Sequence, residues 1–267
     1  MLTLAPVSDE RAPIARANPI AKVAAAALVS TTALLAGDWL TPLLLLAALA
    51  AIVPFTGIRP GPLAHRLKWL WLAAGTVTAV NTLFAAEKTG TTLLSAGPLQ
   101  IASDPLIDGA ALGLRVCVAA TAGVLGFATT DPTDLADALT QQLRTSPRFT
   151  IGSLAALRML PLLGAEWRQI TTARRARGME GGRNPIRRAR LFASTMFTLL
   201  VGALRRAGRL AMAMDARGFD SAVPRTHART QRMRRADWLI LAAAAAVSIA
   251  AVALSVAYGT FKVLVST

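Results

Sequence analysis

Apolar residues run almost without interruption through five stretches of this chain, and each is about as long as a helix needs to cross a membrane. A hydrocarbon core about 30 Å thick takes roughly 17 to 25 predominantly apolar helical residues. Ile20 to Gly37 is apolar after Lys22, and Trp39 to Ile58 is uncharged. The prolines Pro42 and Pro54 make the second stretch the one most open to interruption. Trp69 to Ala86 is uncharged, while Leu106 to Thr130 has Asp108 near its start and Arg115 inside. Trp238 to Tyr258 is the cleanest, with an aromatic residue at each end where the interfacial belt favours one.

Between the fourth and fifth stretches the pattern changes to the 3.6-residue period of exposed helices. Asp131 before Pro132 predicts a helix start, with the carboxylate capping free amides and proline at the first helical position. The short helix that follows ends near Leu143, before Ser146 and Pro147. A long helix is expected from Thr150 to Arg177, apolar through Ile151, Leu154, Leu157, Leu160, Leu163 and Trp167, with a kink at Pro161. A second runs from Ile186 to Arg217 through Leu191, Met196, Phe197, Leu200, Leu204 and Leu210. Unbroken, the two would measure roughly 42 and 48 Å.

Charge sharpens this division. The chain has 267 residues, 54% of them hydrophobic and 16% charged, with a formal net charge of +15. That excludes a disordered chain, and its charged fraction falls below the quarter or so that is usual in soluble domains. Of the 29 basic residues, 20 lie between Asp131 and Ala236, every one an arginine, against 7 acidic residues there. Arg11, Arg16 and Lys22 precede the first span, and Arg59, Arg66 and Lys68 separate the second from the third. All three basic segments fall on one side of a five-span topology, the cytoplasmic side. The N-terminus is then cytoplasmic and the C-terminus, after Lys262, external. The first apolar run is read as a retained span, since no convincing small-residue cleavage site follows it. The fold class is all-α: a polytopic membrane protein with about five transmembrane helices plus long cytoplasmic helices between the fourth and fifth. Its segments are a tail over 1–19, spans one to four over 20–130, an arginine-rich domain over 131–236, and the last span with its tail over 237–267.

Both long helices close on one pentapeptide pattern, Ala176-Arg177-Gly178-Met179-Glu180 and Ala216-Arg217-Gly218-Phe219-Asp220. Helix capping accounts for it: glycine permits a left-handed cap, the next hydrophobic residue folds back on the final turn, and arginine suits the dipole. An arginine held at a helix tip can also fork onto a carboxylate of a partner. Local physics leaves both readings open.

At these residues the chain resembles the transmembrane T components of energy-coupling factor (ECF) transporters, a family that includes the membrane permease of cobalt and nickel uptake systems. The resemblance runs from about Asn18 to Tyr258 and is carried chiefly by the paired Ala-Arg-Gly signatures. Asn18-Pro19-Ile20-Ala21-Lys22 is similar to the family's Asp-Pro-Arg-x-Lys start, with asparagine in place of aspartate. Thr129-Thr130 ends span four, and Leu157-Arg158-Met159-Leu160-Pro161 is similar to the Arg-x-x-Pro region. The resemblance implies an L-shaped molecule whose coupling-helix tips, with Arg177 and Arg217 at their ends, dock in grooves of two ATP-binding-cassette ATPases, identical or homologous. It also implies a small substrate-binding membrane subunit, the S component, as a further partner, and gives Arg158 and Pro161 a structural role in the coupling helices.

No Gly-x-x-x-x-Gly-Lys-Ser/Thr phosphate loop occurs, so the chain is expected to bind no cofactor and to be no enzyme, with ATP and Mg on the partner ATPases. Arg115 is the one charge well inside a span, and its expected role is structural, by snorkelling outward or pairing with Asp108. The apolar faces through Leu154, Leu157, Met196, Phe197, Leu200 and Leu204 either transmit motion to the S component or form a core within the insert. Cys117 reads as a small filler, and His65 and His227 as solvated residues rather than metal ligands. Asp131, Asp134 and Asp137 fit capping and the helix dipole better than acid–base work. A basic connection over 183–190 suits anionic headgroups of the lipid bilayer. A membrane-anchored nucleic-acid binder is the competing reading, but few aromatic residues and no RNA-binding motif accompany the arginines, and no nucleic acid is expected. Vitamins such as biotin, riboflavin, thiamine or cobalamin precursors, and cobalt or nickel ions, all remain open as cargo.

Overall fold

The computed structural model describes residues 17–57, 60–85, 91–96, 99–179, 181–182, 184–219 and 229–261, with side chains described except at 60–67 and 92–102. The tail through Arg16, Arg59, Glu180, Arg183, Asp220, His227 and Lys262 lie outside the described residues, as do the side chains of His65 and Arg66. Eight α-helices are found in the described residues: α1 (Pro19–Leu35), α2 (Leu40–Ile52), α3 (Pro60–Phe84), α4 (Ser103–Ala128), α5 (Pro132–Gln142), α6 (Pro147–Ala176), α7 (Pro185–Ala216) and α8 (Arg235–Ala257). The fold is helical, as the pattern predicts, apart from one hairpin between α3 and α4. In it β1 (Thr92–Ala96) pairs antiparallel with β2 (Leu99–Ala102).

Proline and polar caps set the helix starts. Asn18 accepts from the Ile20 amide (2.9 Å) and Asp131 from the Thr133 amide (2.6 Å). Asn184 accepts from the amides of Ile186 and Arg187 (3.0 and 3.3 Å). Prolines 19, 132, 147 and 185 open the helices behind these caps and behind Ser146. Helices α6 and α7 therefore start slightly earlier than apolar periodicity suggests, because a proline fits the first turn where no amide partner is needed. Pro54 has the expected effect: α2 gives way at Val53 to a 3-10 turn, Val53–Thr56. Pro161 does not end α6, which is 30 residues long and runs on to Ala176; Pro161 and Leu157, whose carbonyl loses its partner, are both exposed.

Two compact units emerge. One is Thr145–Thr230, holding α6 and α7; the other spans Ala5–Arg144 and Gln231–Thr267. The boundary falls inside the arginine-rich 131–236 segment, so that α5 groups with the apolar helices. The Gln142 side chain donates to the Gln231 carbonyl (3.2 Å), and the Gln231 amide to the Gln141 side chain (2.8 Å). These two bonds tie α5 to the segment that leads into α8.

In the apolar unit α4 is central, packing against α1, α2 and α3. Val29 and Ala33 of α1, Leu45 and Leu49 of α2, Val118, Ala122 and Leu125 of α4, and Ala251 of α8 form the core. Small residues permit close approach between helices where lipid offers no hydrophobic contrast. A Cβ on Gly113 would lie 2.4 Å from Thr78 Oγ1, and one on Gly126 3.2 Å from the Ala26 Cβ. By length and composition α4, α6 and α8 can each cross a bilayer, with mean hydropathy of 1.8, 1.2 and 2.5 over their best 18-residue windows. Helices α1 and α2 with its 3-10 extension are shorter apolar helices. The third expected span, Trp69 to Ala86, falls on the 25-residue α3 as far as Phe84, and Ala86 lies outside the described residues.

Candidate functional site

The two arginine signatures fold into the same cap. At the end of α6 the Met179 amide donates to the Arg174 carbonyl (3.0 Å) and the Gly178 amide to the Arg175 carbonyl (2.9 Å). At the end of α7 the Phe219 amide donates to the Met214 carbonyl (3.1 Å) and the Gly218 amide to the Asp215 carbonyl (2.9 Å). This is the Schellman pattern, which requires a left-handed residue after the cap. Gly178 has φ +70° and Gly218 +68°. Arg177 (φ −89°, ψ 10°) and Arg217 (φ −93°, ψ 12°) occupy equivalent cap positions, directly after Ala176 and Ala216. Both are exposed, and among the described residues neither side chain has a hydrogen bond or ion pair. The cap holds each backbone in a defined pose and leaves the guanidinium for something else.

Helices α6 and α7 run antiparallel. Arg174 reaches from α6 to the Leu191 carbonyl (3.1 Å), Thr195 Oγ1 (2.7 Å) and Ser194 Oγ (2.9 Å). Trp167 meets Phe192 edge-on with ring centroids 5.4 Å apart. Glu166 forms an ion pair with Arg206. The shift of 40 residues that separates these two partners is also the shift that carries Arg177 to Arg217. Equivalent positions of the two helices thus meet each other, which happens where a local twofold axis passes. Gly202 allows the close approach, since a Cβ there would stand 3.2 Å from Glu166 Oε1.

The same axis relates two clefts. The first, about 530 Å³, is lined by Trp167, Thr171, Arg174, Arg175 and Met179 of the α6 end and by Arg188, Phe192 and Thr195 of α7. The second, about 470 Å³, is lined at the 40-residue equivalents: Ala207, Ala211, Met214, Asp215 and Phe219, with Arg148, Gly152 and Ala155 of α6. Each tip arginine stands 11 residues beyond its member of the Glu166–Arg206 pair. The two tips therefore point to opposite ends of the helix pair, up to about 33 Å apart.

A twofold-related pair of exposed cationic tips on a membrane protein narrows the field, and comparison with known proteins decides it. The family model CbiQ, described as cobalt transport protein, matches residues 10–228. The energy-coupling factor transporter transmembrane protein EcfT of Leuconostoc gelidum subsp. gasicomitatum is 33% identical over 249 residues, 86% of this chain and 88% of that protein. The chain belongs to the CbiQ family. The EcfT protein of Listeria innocua serovar 6a is 31% identical over 250 residues, covering 87% of this chain and 90% of the relative. A putative ABC transporter ATP-binding protein of Bifidobacterium longum is 31% identical over 174 residues, 62% of this chain but only 22% of that longer protein. This CbiQ-family chain is thus similar to transmembrane components of energy-coupling transporters, and its apolar helices are those of a membrane protein.

The remaining residues singled out in the sequence fall outside the tips. Arg158 and Pro161 lie on exposed positions of α6. Leu157, Met196, Phe197, Leu200 and Leu204 are exposed, Phe197 to 67%, so they do not form a core within this unit. Leu154 is half-buried. Cys117 is buried in α4. Arg115 is buried among the apolar helices, and its Nε has no hydrogen-bond partner among the described residues.

Asp38 stands between the first two apolar runs, where nothing in the sequence singles it out. It is buried, and its Oδ2 accepts from the Thr41 amide (2.7 Å), Thr41 Oγ1 (2.8 Å) and Ser255 Oγ (2.7 Å). It joins the α1–α2 turn to α8. A second buried knot forms at the opposite end of α1. The Asn18 amide donates to Asp237 Oδ1 (2.7 Å), the Arg234 amide to Asp237 Oδ2 (2.7 Å), and Lys22 Nζ to the Thr129 carbonyl (2.8 Å). The early Asn18-to-Lys22 motif and Thr129-Thr130 are thereby brought together. The one available signal was their shared polarity at the edges of apolar runs.

Proposed function

We propose that this chain is the energy-coupling subunit of an ECF-type importer. It links ATP hydrolysis by two partner ATP-binding-cassette ATPases to uptake of a vitamin or a transition-metal ion through a separate substrate-binding membrane subunit. The observation that carries this reading is the pair of equivalent, outward-pointing arginine tips at opposite ends of one helix pair. A rigid bar with two like ends fits two like sites, and an ATPase dimer offers them. ATP and Mg belong to the partners, which supply the chemistry, while this chain supplies the mechanical link.

In this reading α6 and α7 lie on the cytoplasmic side. Helix α6 is long and apolar enough to cross a bilayer, yet it carries Arg148, Arg158, Arg168, Arg174 and Arg175. Each arginine near the centre of a membrane would cost roughly 2.5 to 3.5 kcal/mol on insertion scales, which outweighs the margin of an ordinary apolar helix. The exposed apolar side chains of α6 and α7 then form the surface that the substrate-binding subunit or the bilayer covers.

The test is purification of the tagged chain from its native membrane in mild detergent, beside an Arg177→Glu/Arg217→Glu double variant, with mass-spectrometric identification of what accompanies each. ATPases and a small membrane protein with the unaltered chain, and loss of the ATPases from a variant that remains folded, are expected. An unaltered chain without ATPases, or a variant that keeps them undiminished, overturns the reading.

A further inference from the structure

The two clefts share one backbone scaffold and differ in chemistry. Under the 40-residue shift Arg174 becomes Met214, Arg175 becomes Asp215, Trp167 becomes Ala207, Phe192 becomes Gly152 and Thr195 becomes Ala155. Among the described residues the first cleft is lined by three arginines, Arg174, Arg175 and Arg188, and by no acidic side chain. Arg177 caps the same end, and Arg187 and Arg190 are exposed on the adjoining turn of α7. In the second cleft the charges of Arg148 and Asp215 offset each other, and the remaining lining is small or apolar: Gly152, Ala155, Met159, Leu210, Met214 and Phe219. Glu180 and Asp220 follow the two signatures alike and do not distinguish the ends.

We infer that the two ends dock by different means: the Arg177 end binds an acidic segment of its ATPase, and the Arg217 end binds through apolar contact around a single tip arginine. The inference rests on the ATPase-docking reading and assigns the two ends distinct partner chemistry. A cleft whose described lining holds three arginines is complementary to clustered Asp and Glu, and repels a basic surface. A neutral cleft floored by Met and Leu gains chiefly from removing apolar area from water, which salt does not screen. Long-range attraction therefore acts at the first end, so that end forms the encounter and the second completes it.

The experiment uses the full-length chain with its co-purified ATPases, retained on an affinity support and washed across a sodium chloride series. Arg175 and Asp215 are both exposed, and their contribution to the caps is a backbone carbonyl, so Arg175→Asp and Asp215→Arg exchange the two chemistries while leaving the cap bonds available. Arg175→Gln serves as a milder companion if the reversed charge impairs folding. Size-exclusion elution verifies that each variant is intact. Arg175→Asp is expected to lower ATPase retention at low salt at least tenfold and to flatten its salt dependence, with Arg175→Gln in between. Asp215→Arg is expected to weaken retention less and to leave the salt slope close to that of the unaltered chain. Equal losses with equal slopes for the two reversals overturn the inference, as does retention indifferent to both. So does retention by Arg175→Asp that matches the unaltered chain while its binding to phosphatidylglycerol vesicles falls, which would assign the first cleft to the membrane surface. Absence of any ATPase from the unaltered chain at low salt is a different failure, that of the coupling reading itself.

Discussion

The cap glycine of the first signature offers the sharpest test of how the tips are built. Gly178 has φ +70°, and a Cβ placed on it would meet nothing within 4 Å. Substitution by alanine therefore carries only the backbone penalty of a left-handed L-residue, about 1 to 2 kcal/mol, with no added clash. The cap bonds at risk are those from the Met179 amide to the Arg174 carbonyl and from the Gly178 amide to the Arg175 carbonyl. A local loss of about 1 to 2 kcal/mol multiplies the opening equilibrium roughly 5- to 30-fold. Hydrogen–deuterium exchange with mass spectrometry reads this as faster exchange in peptides ending after Met179, with little change at the far end of the pair. Gly178→Asn should cost less than Gly178→Ala, because a short polar side chain tolerates the left-handed region. The reasoning is refuted if alanine leaves the exchange unchanged, or if asparagine is as damaging as alanine.

Three further outcomes follow from the packing. Arg174→Met gives the first cleft the residue of the second and removes three bonds between α6 and α7. A loss of about 1 to 3 kcal/mol is expected, seen as faster amide exchange in α7 near Leu191 to Thr195, and unchanged exchange there contradicts it. Gly113→Val places a branched side chain where a Cβ alone would stand 2.4 Å from Thr78 Oγ1 and 3.0 Å from the Ala74 carbonyl. It should lower stability in detergent by about 1 to 3 kcal/mol, and a Tm equal to the parent's would show that α3 and α4 are not so closely packed. Asp38→Asn weakens the acceptor of three buried hydrogen bonds, from the Thr41 amide, Thr41 Oγ1 and Ser255 Oγ, and should lower stability in detergent by about 1 to 3 kcal/mol; a Tm equal to the parent's would show that this link between the α1–α2 turn and α8 does not stabilise the fold.

Features decided within a few residues of themselves were legible in the sequence. The caps at Asn18, Asp131 and Asn184 and the prolines behind them mark helix starts, and Gly178 and Gly218 mark two ends. A cap is a bond between a side chain or amide and backbone no more than five positions away, so the local sequence contains both partners. The apolar runs are legible for the same reason, because composition over some twenty residues suffices for a span. Tertiary structure decided which polar groups meet. Asp237 and Asn18 are 219 residues apart, Ser255 and Asp38 217, and Lys22 and Thr129 107. Such pairs depend on how helices are arranged, and apolar periodicity is nearly the same for many arrangements. The equivalence of the two signatures could be read from their letters, whereas the twofold axis through Glu166 and Arg206 could not. It exists because α6 and α7 cross antiparallel at matching positions, and that register is chosen by Gly202, the Arg174 contacts and the Trp167–Phe192 pair acting together. Local chemistry built two like caps, the packing of α6 on α7 set them at opposite ends of one pair with equivalent clefts beside them, and the side chains that differ under the 40-residue shift made those clefts unlike.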